Sequence, residues 1–210
     1  MVTDYISWHN TRTIPNLVQH FGKDTPSDLT GLNALCLCSG GRTPQEETLK
    51  KLKEAGISSC WLEGDYPPYT PRIFHDLGIK VTAVDVADMS QEPFESLALD
   101  LRYPESLAVF EKNSAHIVTM HNAMDVIFPT DRSMVNFAKQ FTNQIRRILN
   151  SKGIFATNEA GRLMRRITGK HENIFFGQDA DISSEELTTE QNRFWALIKD
   201  MIGTNHGYQY

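Results

Sequence analysis

Residues 80–86 read Lys80-Val81-Thr82-Ala83-Val84-Asp85-Val86, and this stretch decides the fold. It is β-branched and uncharged from Val81 to Val84, the composition of a strand buried on both faces, which is how strands of a helix-covered parallel sheet read. Before it, Pro71 to Leu77 reads as a short helix ended by Gly78. After it come Ser96 to Leu101 (SLALDL) as a strand, Pro104 to Glu111 as a helix with Pro104 in its first turn, and Ala115 to Met120 (AHIVTM) as a further strand. Toward the N-terminus, Ile57 to Leu62 (ISSCWL) and Leu32 to Cys38 (LNALCLC) are apolar runs, the second stopped by Ser39-Gly40-Gly41. Between them, Thr43 to Ala55 carries Leu49, Leu52 and Ala55 at helical spacing. Short apolar runs alternating with amphipathic segments predict an α/β three-layer sandwich, a mostly parallel Rossmann-like sheet with helices on both faces.

Toward the C-terminus, Met134, Phe137, Phe141, Ile145 and Ile148 form the stripe of a helix lying on a sheet, with Asp131 or Ser133 as its cap. Ser151-Lys152-Gly153 supplies a turn before the strand Ile154-Phe155-Ala156-Thr157, Asn173 to Phe176 reads as a last strand, and a helix opens at Ser184 and runs to about Ile202. The 210 residues suit one domain. Its parts are an N-terminal arm over 1–31, an α/β core over 32–180, and a C-terminal helix and tail over 181–210.

The chain carries 21 Lys and Arg against 26 Asp and Glu, a formal charge of −5. That balance does not favour a surface built to grip a nucleic-acid backbone. The local basic cluster Arg162, Arg165, Arg166 and Lys170 reads best as a solvated helix face. Three cysteines, Cys36, Cys38 and Cys60, and a start without a signal pattern point to a reducing, cytoplasmic setting. No apolar run is long enough to span a bilayer. Cys36 and Cys38, two apart on a strand, are expected on one face as small buried apolar residues; without a second pair they do not read as metal ligands.

In an open parallel sheet, ligands collect at the carboxyl ends of the strands. The polar residues expected there are Ser39-Gly40-Gly41, Glu63-Gly64-Asp65, Asp85, Asp100, His121-Asn122 with Asp125, and Asn158-Glu159. At these residues the chain resembles the class I S-adenosylmethionine-dependent methyltransferases. Trp61-Leu62-Glu63-Gly64-Asp65 and Asp76 to Asp85 match that family's first two strands, with 85 − 63 = 22 residues between the carboxylates. Ala98-Leu99-Asp100-Leu101-Arg102 is similar to the third strand, Ser114 to Asn122 to the fourth, and Arg147 to Phe155 to the helix-turn-strand that follows. The resemblance covers roughly residues 57–160. It implies S-adenosylmethionine as cofactor, held by Glu63, Gly64, Asp65, Asp85, Val86, Asp100, Leu101 and His121, and a small-molecule or other methyl acceptor. It names no catalytic residue and no metal. The first loop departs from the family: Gly64 is followed by Asp65-Tyr66-Pro67-Pro68, where two prolines remove two donors.

A second register makes Leu35 to Cys38 the first strand and Ser39-Gly40-Gly41 its glycine turn, which moves Glu63 to the ribose position and Asp85 to the third strand. The first register is preferred, because the second leaves the stretch from Asp100 to Ala115 unexplained. Even so, the 15 residues from Asp85 to Asp100 are too few for a full connecting helix. His121 is placed to serve as a general base near neutral pH, or equally as a hydrogen-bonded strand-end residue. Tyr5, Trp8, Tyr66, Tyr69 and Phe128 are candidates to line an acceptor pocket or to pack in the core. Two alternatives to a methyltransferase stay open: a non-catalytic binding protein of this fold, and a nucleotide- or NAD-binding enzyme that uses the Ser39-Gly40-Gly41 turn.

Overall fold

The computed structural model describes residues 13–41, 46–54, 66–121, 123 and 134–157. In chain order these form α1 (Ile14–His20), a short 3-10 helix (Pro26–Leu29), β1 (Asn33–Leu37), α2 (Glu46–Glu54) and α3 (Tyr69–Asp76). There follow β2 (Lys80–Asp85), β3 (Glu95–Ala98), a second 3-10 helix (Pro104–Val109), β4 (Ala115–Met120), α4 (Met134–Ile148) and β5 (Leu149–Thr157). The five strands form one sheet in the order β3-β2-β1-β4-β5, and each neighbouring pair is parallel. The expected α/β sandwich is therefore what the chain adopts, with every strand pair among the described residues parallel.

Alternation along the strands builds two cores. On one face Leu35, Leu37, Val84, Val118, Met120 and Phe155 meet Phe137, Phe141, Ile145 and Ile148 of α4. Those four helix residues recur every three to four positions, so α4 buries a single stripe against the sheet. Phe141 stacks on Phe137 at 6.1 Å between ring centres and meets Phe155 edge-on at 6.5 Å. On the other face Ala34, Cys36, Val81, Ala83, Ile117, Ile154 and Ala156 meet Ile14 and Leu17 of α1, Leu29, and Phe74 of α3. The link from β2 to β3 is indeed too short for a helix; Met89 and Phe94 from that link are buried on this second face and fill the space a helix would take.

Several local expectations are corrected. β5 begins at Leu149, not Ile154: the expected turn at Ser151-Lys152-Gly153 survives as an irregularity in which Ala115 pairs with Leu149 but Ile117 with Ile154. The Asn150 side chain accepts the Lys152 N–H at 3.0 Å and closes that turn from within. The helix after Pro104 is 3-10 rather than α, and its end is held by Arg147. The guanidinium donates to the carbonyl of Phe110 at 2.6 Å and to that of Leu107 at 2.8 Å, which also accepts the Phe110 N–H at 3.2 Å. Cys36 and Cys38 do not share a face: Cys36 belongs to the α3 side, whereas Cys38 packs on the α4 side. The reason is a φ of +50° at Cys38, which turns the chain out of the strand one residue after Leu37. The segments expected as strands at 57–62 and 173–176, the cap at 131–133 and the helix after 184 lie outside the described residues.

No helix among the described residues is long and apolar enough to cross a membrane.

Candidate functional site

β1 is the centre of the sheet, paired with β2 on one side and β4 on the other. The chain runs outward from β1 through β2 to β3, then returns to the far side of β1 for β4 and β5. The order therefore reverses between β1 and β4, and the carboxyl ends of those strands frame the crevice where parallel α/β sheets bind ligands. Leu37 pairs with Val84 and with Met120. One residue further along each strand lie Cys38, Asp85 and His121, so these three start the loops at one edge. Asp85 and His121 are two strand spacings apart, about 10 Å along the sheet.

This placement corrects the preferred register. Both sides of β2 are occupied, by β1 and β3, so no strand from 57–62 can sit between residues 33–37 and 80–85. The second register fails as well, because Asp85 ends the strand next to β1 rather than the third strand out. The sheet combines the two readings: Ser39-Gly40-Gly41 is the turn after the first strand, and Asp85 ends the second.

The turn and the carboxylate are joined. The Gly40 N–H donates to Asp85 Oδ2 at 2.9 Å, and the Ala87 N–H donates to Asp85 Oδ1 at 3.1 Å. Burial pushes the Asp85 carboxyl above its ordinary value, and the backbone donors Gly40, Ala87 and Val86 pull it back only in part. An ionised carboxylate has about four acceptor positions. Two are filled by Gly40 and Ala87, so capacity for a further donor remains.

The same turn has no donor left over. Ser39 N–H goes to the Val84 carbonyl at 3.3 Å, Gly40 N–H to Asp85, and Gly41 N–H to the Tyr66 carbonyl at 2.6 Å. Tyr66 N–H returns to the Gly41 carbonyl at 2.8 Å, an isolated antiparallel bridge. Glycine is required at both positions by the chain itself. Gly40 has a φ of +83°, and a Cβ there would lie 2.5 Å from the Tyr66 carbonyl oxygen; at Gly41 it would lie 2.9 Å from both the Asp88 carbonyl oxygen and Met89 Cγ. The bare faces of these glycines are covered by protein. α2, the next described element, opens on Glu46 and Glu47, whose charges oppose an anion at its N-terminus.

The other expected site residues fall out differently. Asp100 follows β3, but both its oxygens are taken by Arg102: Nε donates to Oδ1 and Oδ2 at 3.0 and 3.1 Å, Nη2 to Oδ2 at 2.6 Å, and the Arg102 N–H to Oδ1 at 3.0 Å. The guanidinium also lies 5.7 Å from the exposed Tyr103 ring. Leu101 is buried in the α4-side core beside Leu107. His121 is buried at the end of β4, and Val86 is half-buried next to Asp85. Of the aromatic pair, Tyr66 is exposed and Tyr69 half-buried at the start of α3. Glu63, Gly64, Asp65, Asn122, Asp125, Tyr5, Trp8, Phe128, Asn158, Glu159 and the basic cluster at 162–170 lie outside the described residues.

Sequence reasoning missed the Gly40–Asp85 bond and the Gly41–Tyr66 bridge. One signal for the second was present: Tyr66 precedes Pro67, and a residue before proline is held extended, the conformation a bridge needs.

No protein-family profile matches the chain, and no curated protein matches it in sequence. Among solved structures it is similar to a protein of Pyrococcus horikoshii, at 14% identity and a TM-score of 0.48 over 94% of this chain and 81% of that one. It is also similar to a SAM dependent methyltransferase from Archaeoglobus fulgidus, at 12% identity and a TM-score of 0.41 over 98% of this chain and 95% of that one. Both scores lie below 0.5, so the strand order and the site of this chain bear on its chemistry, and these likenesses do not.

Proposed function

We propose that this chain binds S-adenosylmethionine at the carboxyl ends of β1, β2 and β4 and transfers its methyl group to an acceptor. The observation that supports this is the Asp85 carboxylate, fixed at the tip of β2 by the glycine turn of β1 with capacity for one more donor. In this reading Asp85 takes one ribose hydroxyl in a charge-assisted bond, with the Val86 backbone beside it and His121 across the crevice. The donor set decides the fit. A turn whose N–H groups are all satisfied internally, followed by a helix that opens on two glutamates, does not suit a pyrophosphate. An acceptor-rich edge suits hydroxyls and a cationic sulfonium. The NAD or nucleoside-phosphate alternative therefore loses its support at Ser39-Gly40-Gly41.

The cofactor supplies an activated methyl group on sulfur. The chain's part is to orient the adenosine and exclude water, which needs placement more than an acid–base pair. Asp100 stays out of this assignment because Arg102 engages both its oxygens.

A second reading, a protein of this fold that binds without transferring, is favoured by the Gly41–Tyr66 bridge, which closes the turn against the chain itself. Calorimetric titration with S-adenosylmethionine and S-adenosylhomocysteine separates the readings. Binding that Asp85→Ala abolishes, together with methyl transfer to any acceptor in a panel, is the expected result. Binding without transfer favours the second reading, and no heat or thermal shift at millimolar ligand overturns the methyltransferase reading.

A further inference from the structure

The bridge between Gly41 and Tyr66 lies one residue from the donor that holds Asp85. We propose that the Gly41–Tyr66 bridge is a clasp that positions the Asp85 carboxylate, so that Tyr66 and Gly41 set its aim through the backbone; this rests on the reading of Asp85 as the ribose acceptor.

The argument follows the contacts. Asp85 Oδ2 is held from the β1 turn by Gly40 N–H, and Oδ1 from its own loop by Ala87 N–H. These two anchors belong to different parts of the chain, and two glycines keep them in register. Gly41 packs against the 87–89 loop so closely that a Cβ would meet Asp88, Met89 and Ala87 at 2.9–3.0 Å. Gly40 packs more closely still against Tyr66, where a Cβ would come within 2.5 Å of the carbonyl oxygen. The two bridge bonds at 2.6 and 2.8 Å hold Tyr66 against the turn. Tyr66 itself is held from behind: Pro67 keeps it extended, and Pro68 leads directly into α3, whose Phe74 is fully buried. The turn is thus braced between α3 and the 87–89 loop, and the Gly40 N–H has one direction in which to point. Without the brace, a loop with φ of +50° at the non-glycine Cys38 relaxes toward commoner backbone angles, and the Gly40 N–H leaves Asp85.

Tyr66→Pro tests this most directly. It removes the Tyr66 N–H that donates to Gly41 while staying compatible with an extended backbone. Gly41→Ala, which drives a methyl into the 87–89 loop, is the second variant. The first readout needs no cofactor: in the unmodified chain the Gly40 amide proton resonance shifts as Asp85 titrates, because the two are hydrogen-bonded. In Tyr66→Pro that coupling is expected to vanish while the rest of the amide spectrum stays folded. The second readout is affinity for S-adenosylhomocysteine, expected to fall about tenfold, the worth of one mispositioned hydrogen bond to a charged group. Retention of the Gly40–Asp85 coupling in Tyr66→Pro overturns the clasp, whereas loss of the coupling with affinity unchanged upholds the clasp and overturns the reading of Asp85 as the ribose acceptor. If the unmodified chain binds no S-adenosylhomocysteine, the functional reading fails, and the amide titration alone still decides whether the clasp fixes Asp85.

Discussion

Asp85→Asn separates what this carboxylate does for the fold from what it does for a ligand. In the native chain each oxygen accepts one backbone N–H, from Gly40 and from Ala87. A carboxamide keeps one acceptor and turns the other position into a donor, so one of those N–H groups faces an NH2 and loses its bond. For the ligand, the remaining acceptor capacity of an ionised group disappears. One charge-assisted hydrogen bond is worth about 1.5–3 kcal/mol, so affinity for S-adenosylhomocysteine should fall by roughly 10- to 150-fold. The stability effect has a sign set by pH. Burial holds the folded carboxyl above its ordinary value of 3.8, so the folded chain keeps this proton more tightly than the unfolded chain. The stability linked to it is fully present below pH 3.8 and is lost as pH rises through the raised folded value. Asparagine has no such proton. The native chain should therefore lose stability relative to Asp85→Asn as pH rises from about 4, and the difference should level off once the folded carboxyl is ionised. Urea unfolding of both proteins at half-unit steps from pH 4 to pH 8, with calorimetry at pH 7.5, measures both effects. A change in affinity under threefold in a folded variant would refute the assignment of Asp85 to the ligand. A stability difference that grows in favour of the native chain with rising pH would refute the burial argument.

Three further outcomes follow from the same geometry. Asp100→Asn should alter cofactor affinity less than twofold, because Arg102 already takes both oxygens, and should cost no more than about 1 kcal/mol, since both partners are about a quarter exposed; a tenfold loss by calorimetry would restore Asp100 to the site. Arg147→Met leaves the Phe110 carbonyl without the guanidinium and the Leu107 carbonyl with the Phe110 N–H alone, and should cost about 2–3 kcal/mol, a fall in Tm of roughly 5–10 °C for a chain of this size; a scan showing no shift would mean that water replaces the guanidinium. The Cys36 thiol, pushed up to about 12 by burial, should resist maleimide at pH 8 in the native protein and react once urea unfolds it, as peptide-level mass spectrometry of the labelled chain can show.

The layers of this fold were legible because burial writes itself into composition. Lys80 to Asp85 and Ala115 to Met120 are strands where their apolar runs say so, and the 137-141-145-148 stripe lies on the sheet as its spacing predicts. Which strand takes the centre was not legible from carboxylate spacing. The 22 residues between Glu63 and Asp85 follow a family spacing, while the turn that the Asp85 carboxylate engages, at Gly40, lies 85 − 40 = 45 residues before it. A better signal was available in the runs themselves. Ala34 to Leu37 has no polar side chain and is buried throughout, as a strand with neighbours on both edges and helices on both faces must be. ISSCWL carries two serines and fits that position less well. The flip at Cys38 and the bulge after Leu149 were beyond reach for another reason: each depends on what packs beside the residue, and periodicity along one strand carries no record of its neighbours.

The proline pair after Tyr66 changes meaning once its place is known. Read as part of a glycine-rich cofactor loop, Pro67 and Pro68 look like damage, two donors removed where a ligand would want them. In the structure they sit after the excursion from β1 has returned, where donors are not needed and stiffness is. Pro67 keeps Tyr66 extended against Gly41, and Pro68 starts α3. The lost donors are irrelevant there because the turn satisfies its N–H groups with Val84, Asp85 and Tyr66. Among the described residues, the turn withholds its donors and Asp85 presents an acceptor. In the proposed reading that polarity favours hydroxyl-bearing and cationic ligands over phosphates, and the Gly40–Asp85 bond gives it direction.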